Sequence, residues 1–246
     1  MATTPAPAAP GQASIGTFGR LAGVLFNPRP TFEDIARKPS WVAPVVVIIL
    51  VQLAVIAIFT QRVGWQSFFE RQAATNSRIQ QMPADQRQNM INQQVKYGPI
   101  FSYVFVPVTF VVATLAIAGL LLGLFNAMAS AELDFKTSLG IVSHAFMPGV
   151  VGGLLGILIL FLKDPSTVDL QNLVASNVGA VLPDNASKWL VSLGSSFDIF
   201  SFWTIFLLGL GYSRPRKIKM GTALTYVIVL WALYVVVKVG AAAIFS

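Results

Sequence analysis

The chain has 246 residues, 55% hydrophobic and only 11% charged, with a formal net charge of +7, a single histidine and no cysteine. Soluble domains run nearer 45–50% apolar and about 25% charged, so the composition departs from them in the direction that burial in lipid demands. It excludes disulfides, thiolate metal sites and a cysteine nucleophile. The surplus of basic residues sits between apolar stretches and is not interleaved with aromatics, which points to lipid headgroups and topology and away from nucleic acid.

In chain order, residues 1–18 are rich in Ala, Pro and Thr without an apolar core. They read as a disordered tail, neither a secretory signal nor a span. Next, Thr31 offers a helix cap, Glu33 and Asp34 fall in the first turn, and Pro30 blocks extension backwards. Phe32, Ile35 and Ala36 share one face of that helix. A short helix lying in the membrane interface is expected, with Phe32 as a lipid or partner contact and Pro39 and Trp41 marking the turn into the bilayer.

Residues 19–246 then read as one all-α, polytopic membrane domain of five transmembrane helices with short interfacial and extramembrane helices. The spans are expected at 42–59, 100–129, 141–162, 190–212 and 221–245. Each approaches the roughly 20 residues that cross about 30 Å of hydrocarbon. The apolar core of the fourth, 197–212, is short and spans only with help from 190–196. Between the first two spans, the Gln-, Asn- and Arg-rich segment 61–98 suggests two short helices joined at Pro83, forming a solvated lid on the outer face. Between the third and fourth, residues 168–181 form a further amphipathic segment.

Orientation follows from Lys and Arg. One side collects Arg20, Arg29, Arg37, Lys38 and Lys136, together with the tight cluster Arg214, Arg216, Lys217 and Lys219 between two spans. The other side spreads its charges through a long loop. Short basic loops govern topology, so the N-terminus is expected in the cytoplasm and Ser246 outside.

Inside the membrane, Gly119, Gly123 and Ala127 recur every four residues, and Gly149, Gly152, Gly153 and Gly156 make overlapping small-residue ridges. Such stripes let backbones approach, so spans two and three are expected to pair tightly. Pro107 and Pro148 should kink their helices, yet no span reads as a discontinuous pair. Three ionisable groups fall at depth: His144, Asp198 and Lys238. Counting from the inner boundaries, Asp198 and Lys238 lie about 21 and 26 Å up, so an ion pair or shared polar cluster is expected. His144 and Asn126 fall near the inner surface across a short connection, where a hydrogen-bonded tie or, more sharply, a proton relay is expected. No paired intramembrane carboxylates, G-x-S-x-G elbow or phosphate-binding glycine loop occurs, so no enzyme, metal or cofactor is expected.

Three runs in order carry a resemblance: 25-LFNPRPTF-32, 143-SHAFMP-148, and 197-FDIFSFW-203 leading into 207-LLGLG-211. Together they resemble the Yip1 family in its bacterial branch, over about Gly19 to the C-terminus. The resemblance implies a five-span domain with a cytoplasmic N-terminus. Eukaryotic members act in vesicle traffic and associate with Rab GTPases through N-terminal sequence; the Asp-Leu-Tyr-Gly-Pro type motif of those members is missing here. The expectation is a non-enzymatic protein of a bacterial inner membrane that organises membrane or protein partners. Its candidate contacts are Phe32 and the Arg214, Arg216, Lys217, Lys219 cluster against anionic lipid or a cytoplasmic protein, and a homo-oligomer is compatible with this. The rival is a small transporter or channel lined by Asp198, Lys238, His144 and Asn126.

Overall fold

The computed structural model describes residues 14–168, 172–183, 185–216 and 218–244. Most of the expected tail, part of the 168–181 segment, Lys217, Phe245 and Ser246 lie outside the described residues. Eleven α-helices occur among them: α1 Thr17–Phe26, α2 Pro28–Arg37, α3 Val42–Arg62, α4 Trp65–Thr75, α5 Ser77–Gln80, α6 Ala84–Ala129, α7 Phe135–Ala145, α8 Pro148–Leu162, α9 Lys188–Gly194, α10 Ile199–Tyr212 and α11 Met220–Ile244. Single 3-10 turns cover Pro165–Thr167 and Val178–Val181. The one β contact among the described residues is an isolated bridge between Asn177 and Asp198.

Four stretches are long and apolar enough to cross a bilayer: α3, α6, α7 with α8, and α11. The expected fourth span is divided. Its main part, α10, has 14 residues, about 21 Å of helix against the roughly 30 Å of hydrocarbon. Asp198 ends it at the top by capping, its carboxylate accepting from the backbone N–H of Phe200 at 2.9 Å and Ser201 at 3.1 Å. A residue whose side chain takes the first helical N–H groups cannot also continue the helix from α9.

The second span is longer than expected. α6 has 46 residues, about 69 Å, so its first third projects beyond the apolar layer. Of the two short helices expected around Pro83, the first is α4 with α5, and the second is continuous with the span through Pro99 and Pro107. α4 leans back on this rod: the rings of Phe59, Trp65, Phe68 and Phe69 form a cluster with centroids 5.1 to 6.2 Å apart, edge-to-face except for the stacked pair Trp65 and Phe69. Gly98 makes the approach feasible, because a Cβ there would sit 2.8 Å from the Phe69 ring.

The third span is discontinuous, contrary to the sequence expectation. Pro148 has no N–H to give to His144, and the chain turns at Phe146 and Met147 before α8 restarts with Pro148 in its first turn. The freed groups pair tightly instead: Met147 N–H donates to His144 O at 3.1 Å and Gly149 N–H to Phe146 O at 3.0 Å.

The glycine stripes also divide. Gly119 and Gly123 face open space, as would any Cβ added there. α6 meets α7 through Ala118, Leu121 and Phe125. Three of the four α8 glycines are filled from elsewhere: a Cβ at Gly153 would fall 2.5 Å from Val51 of α3, one at Gly152 3.4 Å from Phe200 of α10, and one at Gly156 2.9 Å from Leu173, while Gly149 is open. Spans two and three therefore do meet, through α6 and α7, but not through their glycine stripes, and the α8 glycines seat α3 instead. Arg62 locks its far end, donating to the Leu160 and Phe161 carbonyls at 3.3 Å.

Candidate functional site

The end of the bundle where the N-terminal helices sit is built around a buried charge clasp. α1 and α2 fold back on one another, and Arg20 of α1 meets Asp34 of α2 at 2.8 Å with side chains only 6% and 3% exposed. Arg20 also donates to the Lys38 carbonyl at 2.9 Å and the Ser40 hydroxyl at 2.8 Å, just before α3 begins. Asp34 in turn accepts the Ile15 N–H at 3.2 Å and touches Arg37 at 3.5 Å. Every polar atom of the pair's facing edges is engaged, as burial of charge requires.

The start of α2 explains its placement. It begins at Pro28 with Asn27 before it, and Pro28 and Pro30 occupy the first turn, where missing N–H groups cost nothing. Thr31 does not cap; its hydroxyl bonds the Asn27 carbonyl at 2.8 Å. Phe32 is fully buried, packed against Gly211 of α10 so closely that a Cβ there would fall 3.1 Å from its ring. Phe32 is thus a core residue and not a lipid or partner contact, and the apolar face of α2 meets protein. Below it, Tyr212 stacks on Phe125 with centroids 4.4 Å apart. The Tyr212 hydroxyl donates to Ser138 Oγ, which donates onward to the Ala118 carbonyl at 2.7 Å.

The outer face of α1 is different. Phe18 and Phe26 are 85% and 83% exposed, and Ala22 between them is exposed too. Residues 18, 22 and 26 are one stripe of the helix, opposite the buried Arg20 and Val24.

Of the basic cluster, Arg214 is turned inward, paired with Glu33 of α2 at 3.3 Å. Arg216 reaches Glu132 at 3.6 Å and remains half exposed. Lys219 is exposed.

The four intramembrane polar residues are not one cluster. Asn126 grips the backbone of Leu133 at both ends, accepting its N–H at 2.8 Å and donating to its carbonyl at 3.0 Å. His144 places Nδ1 2.8 Å from the Gly140 carbonyl one turn back, so that nitrogen carries the proton. The expected tie between these two is therefore absent, each being satisfied by nearer backbone. At the opposite end, Asp198 caps α10 and accepts from the Ser176 hydroxyl. Lys238 donates to Ser195 at 2.8 Å and Ser196 at 3.2 Å. The two share one corner of the fold, but no direct ion pair joins them.

Between these two ends a cleft of about 710 Å³ opens sideways among α3, α6, α10 and α11. Its walls are apolar, with Gln52, Ser201, Thr204 and Tyr234 the polar exceptions. Gln52 Oε1 is buried without a hydrogen-bond partner among the described residues. Among the described residues no group of three or more side chains is placed to hold a metal ion.

Sequence reasoning missed Arg20, Asp34 and Gln52. Arg20 shares a face with Val24, one turn on, and an arginine on an apolar helix face implies a buried partner. Gln52 is the one amide within an otherwise apolar span, a signal of the same kind.

Neither a curated protein nor a solved structure matches the chain. The model of the Yip1 domain matches residues 22–241. That match covers α2 through most of α11, including the broken third span and the cleft, and the chain belongs to the Yip1 family.

Proposed function

We propose that this multi-pass Yip1 protein is non-enzymatic and organises its membrane surroundings or a protein partner through the face of α1. The observation that carries the reading is the outward stripe Phe18, Ala22 and Phe26, held on a helix whose inner side is fixed by the buried Arg20 clasp. Apolar side chains of this size displayed at a fixed angle beside the start of a span suit insertion into the headgroup boundary or a partner helix. Arg216 and Lys219 near the same end add charge that suits an anionic surface. A photo-crosslinking residue at Phe18 or Phe26 in native membranes is expected to give a lipid or protein adduct. Adduct yield no higher than at exposed Arg29 would overturn the reading.

The finer topology belongs to this proposal: five crossings with the divided α9 and α10 as one of them, N-terminus cytoplasmic, C-terminus outside, in a bacterial inner membrane. Absence of cysteine makes the test clean. Single cysteines at Ser14 and Ala243 are expected to react with an impermeant maleimide from opposite sides; labelling from one side defeats the topology.

One observation favours the transport alternative, namely the helix break at Phe146 and Met147. Broken helices line sites in many transporters. Solute-dependent flux in proteoliposomes, abolished by Asp198→Asn, would select it.

A further inference from the structure

We infer that the lateral cleft is a binding site for a neutral lipid bearing a free hydroxyl, seated with that hydroxyl on the Gln52 amide. This is independent of the role proposed for α1. Gln52 lies ten residues from each end of α3, Val42–Arg62, about 15 Å from either boundary and so at mid-bilayer depth. Water is scarce there, and an unpaired amide oxygen in hydrocarbon is costly. Yet Gln52 Oε1 has no hydrogen-bond partner among the described residues. Its terminal torsion is broad, so either end of the amide can turn into the cleft that the residue lines. A hydroxyl is the group that suits both ends, donating to Oε1 and accepting from Nε2.

The rest of the cleft sets the remaining chemistry. No charged side chain lines it, so a phosphate or carboxylate would enter mid-membrane uncompensated, which excludes ionised headgroups. Its volume of about 710 Å³ lies within the usual 300–1,000 Å³ of ligand sites. The opening is sideways between α6 and α11, whose rims carry exposed Leu120 and Leu233. Lipid is what stands outside such a mouth, and an acyl or isoprenoid chain enters without leaving hydrocarbon. Gly149, an exposed residue of the cleft wall, has nothing within 4 Å of an added Cβ, so space reaches the helix backbone there.

The test uses the full chain in phosphatidylcholine nanodiscs doped with a diazirine-bearing long-chain alcohol, or with its methyl ether, which keeps the chain and lacks the donor. Wild type is expected to be labelled on α6 and α11 by the alcohol, at least tenfold more than by the ether. Gln52→Leu is expected to equalise the two probes while folding as well as wild type, because it replaces a side chain whose amide oxygen is unpaired by an apolar group in apolar surroundings. Gly149→Phe, growing into the cleft, is expected to abolish labelling by both. Equal labelling of wild type by alcohol and ether, or labelling unchanged by Gln52→Leu, overturns the proposal and marks the cleft as filled by bulk acyl chains. Retained α1 crosslinks in Gln52→Leu keep this outcome separate from the role of α1.

Discussion

Replacing Arg20 by methionine tests whether the N-terminal helices are held by charge or by packing alone. The pair is almost wholly withdrawn from solvent, 6% and 3% exposed, so removing one partner strands the other. For buried pairs that costs about 3–5 kcal/mol. The two directions differ. After Arg20→Met, the Asp34 carboxylate keeps the Ile15 N–H at 3.2 Å and the rim cation Arg37 at 3.5 Å, which places the loss near 3 kcal/mol. After Asp34→Leu, the guanidinium retains only neutral acceptors, the Lys38 carbonyl and the Ser40 hydroxyl, and the loss is expected nearer 5 kcal/mol. Combining both is expected to recover most of the stability, to within about 1 kcal/mol of wild type, because no charge is left unpaired. Thermal and denaturant unfolding in a single detergent, with hydrogen exchange across residues 15–40, reads both global and local opening. Single variants each costing under about 1 kcal/mol would reduce the clasp to an ordinary surface pair and refute the reasoning. So would a double variant no better than the worse single.

Ser138→Ala is expected to lower unfolding stability by about 1–3 kcal/mol, since it leaves the buried Tyr212 hydroxyl without an acceptor. Adding Tyr212→Phe is expected to restore part of that loss, and a still less stable double variant would count against the network. Asp198→Ala removes the α10 cap and is expected to cost about 0.5–2 kcal/mol in the same assay. The charge exchange Asp198→Lys with Lys238→Asp is expected to give no rescue of expression or stability, because lysine cannot accept the Phe200 and Ser201 N–H groups; full rescue would restore the direct ion pair. Gly153→Ala is expected to cost about 1–3 kcal/mol by overpacking against Val51. Gly123→Ala, with nothing near its Cβ, is expected to be neutral or to gain up to about 1 kcal/mol from helix propensity. Equal effects at the two glycines would refute the seating of α3 on Gly153.

Four of the five expected spans were legible because length and apolarity are properties of a segment alone. Val42–Arg62 and Met220–Ile244 needed nothing further. What the sequence hid is which side of each span faces protein. In water, apolar periodicity marks the buried face; in lipid an exposed Val46 or Leu233 is as well solvated as a buried Ile48, and that signal vanishes. Gly123 and Gly153 show the consequence. Both sit in small-residue stripes, one bare and one filled by Val51, and only the arrangement of neighbouring helices separates them.

Polar residues escape this ambiguity, because lipid gives them no partner and the fold must. Reading them correctly depends on finding the nearest partner and not the most attractive one. Asp198 and Lys238 look complementary in charge and depth, but the open N–H groups of α10 lie within two and three residues of Asp198 and claim its carboxylate first. His144 and Asn126 likewise take backbone groups four and seven residues away. The same rule places Arg20 and Asp34 together, since neither has a local backbone site able to neutralise it and both lie on buried helix faces. Gln52 is where the rule finds no answer among the described residues. On the lipid-site proposal, this mid-membrane amide oxygen, without a donor among the described residues, takes its donor from outside, through the opening between α6 and α11.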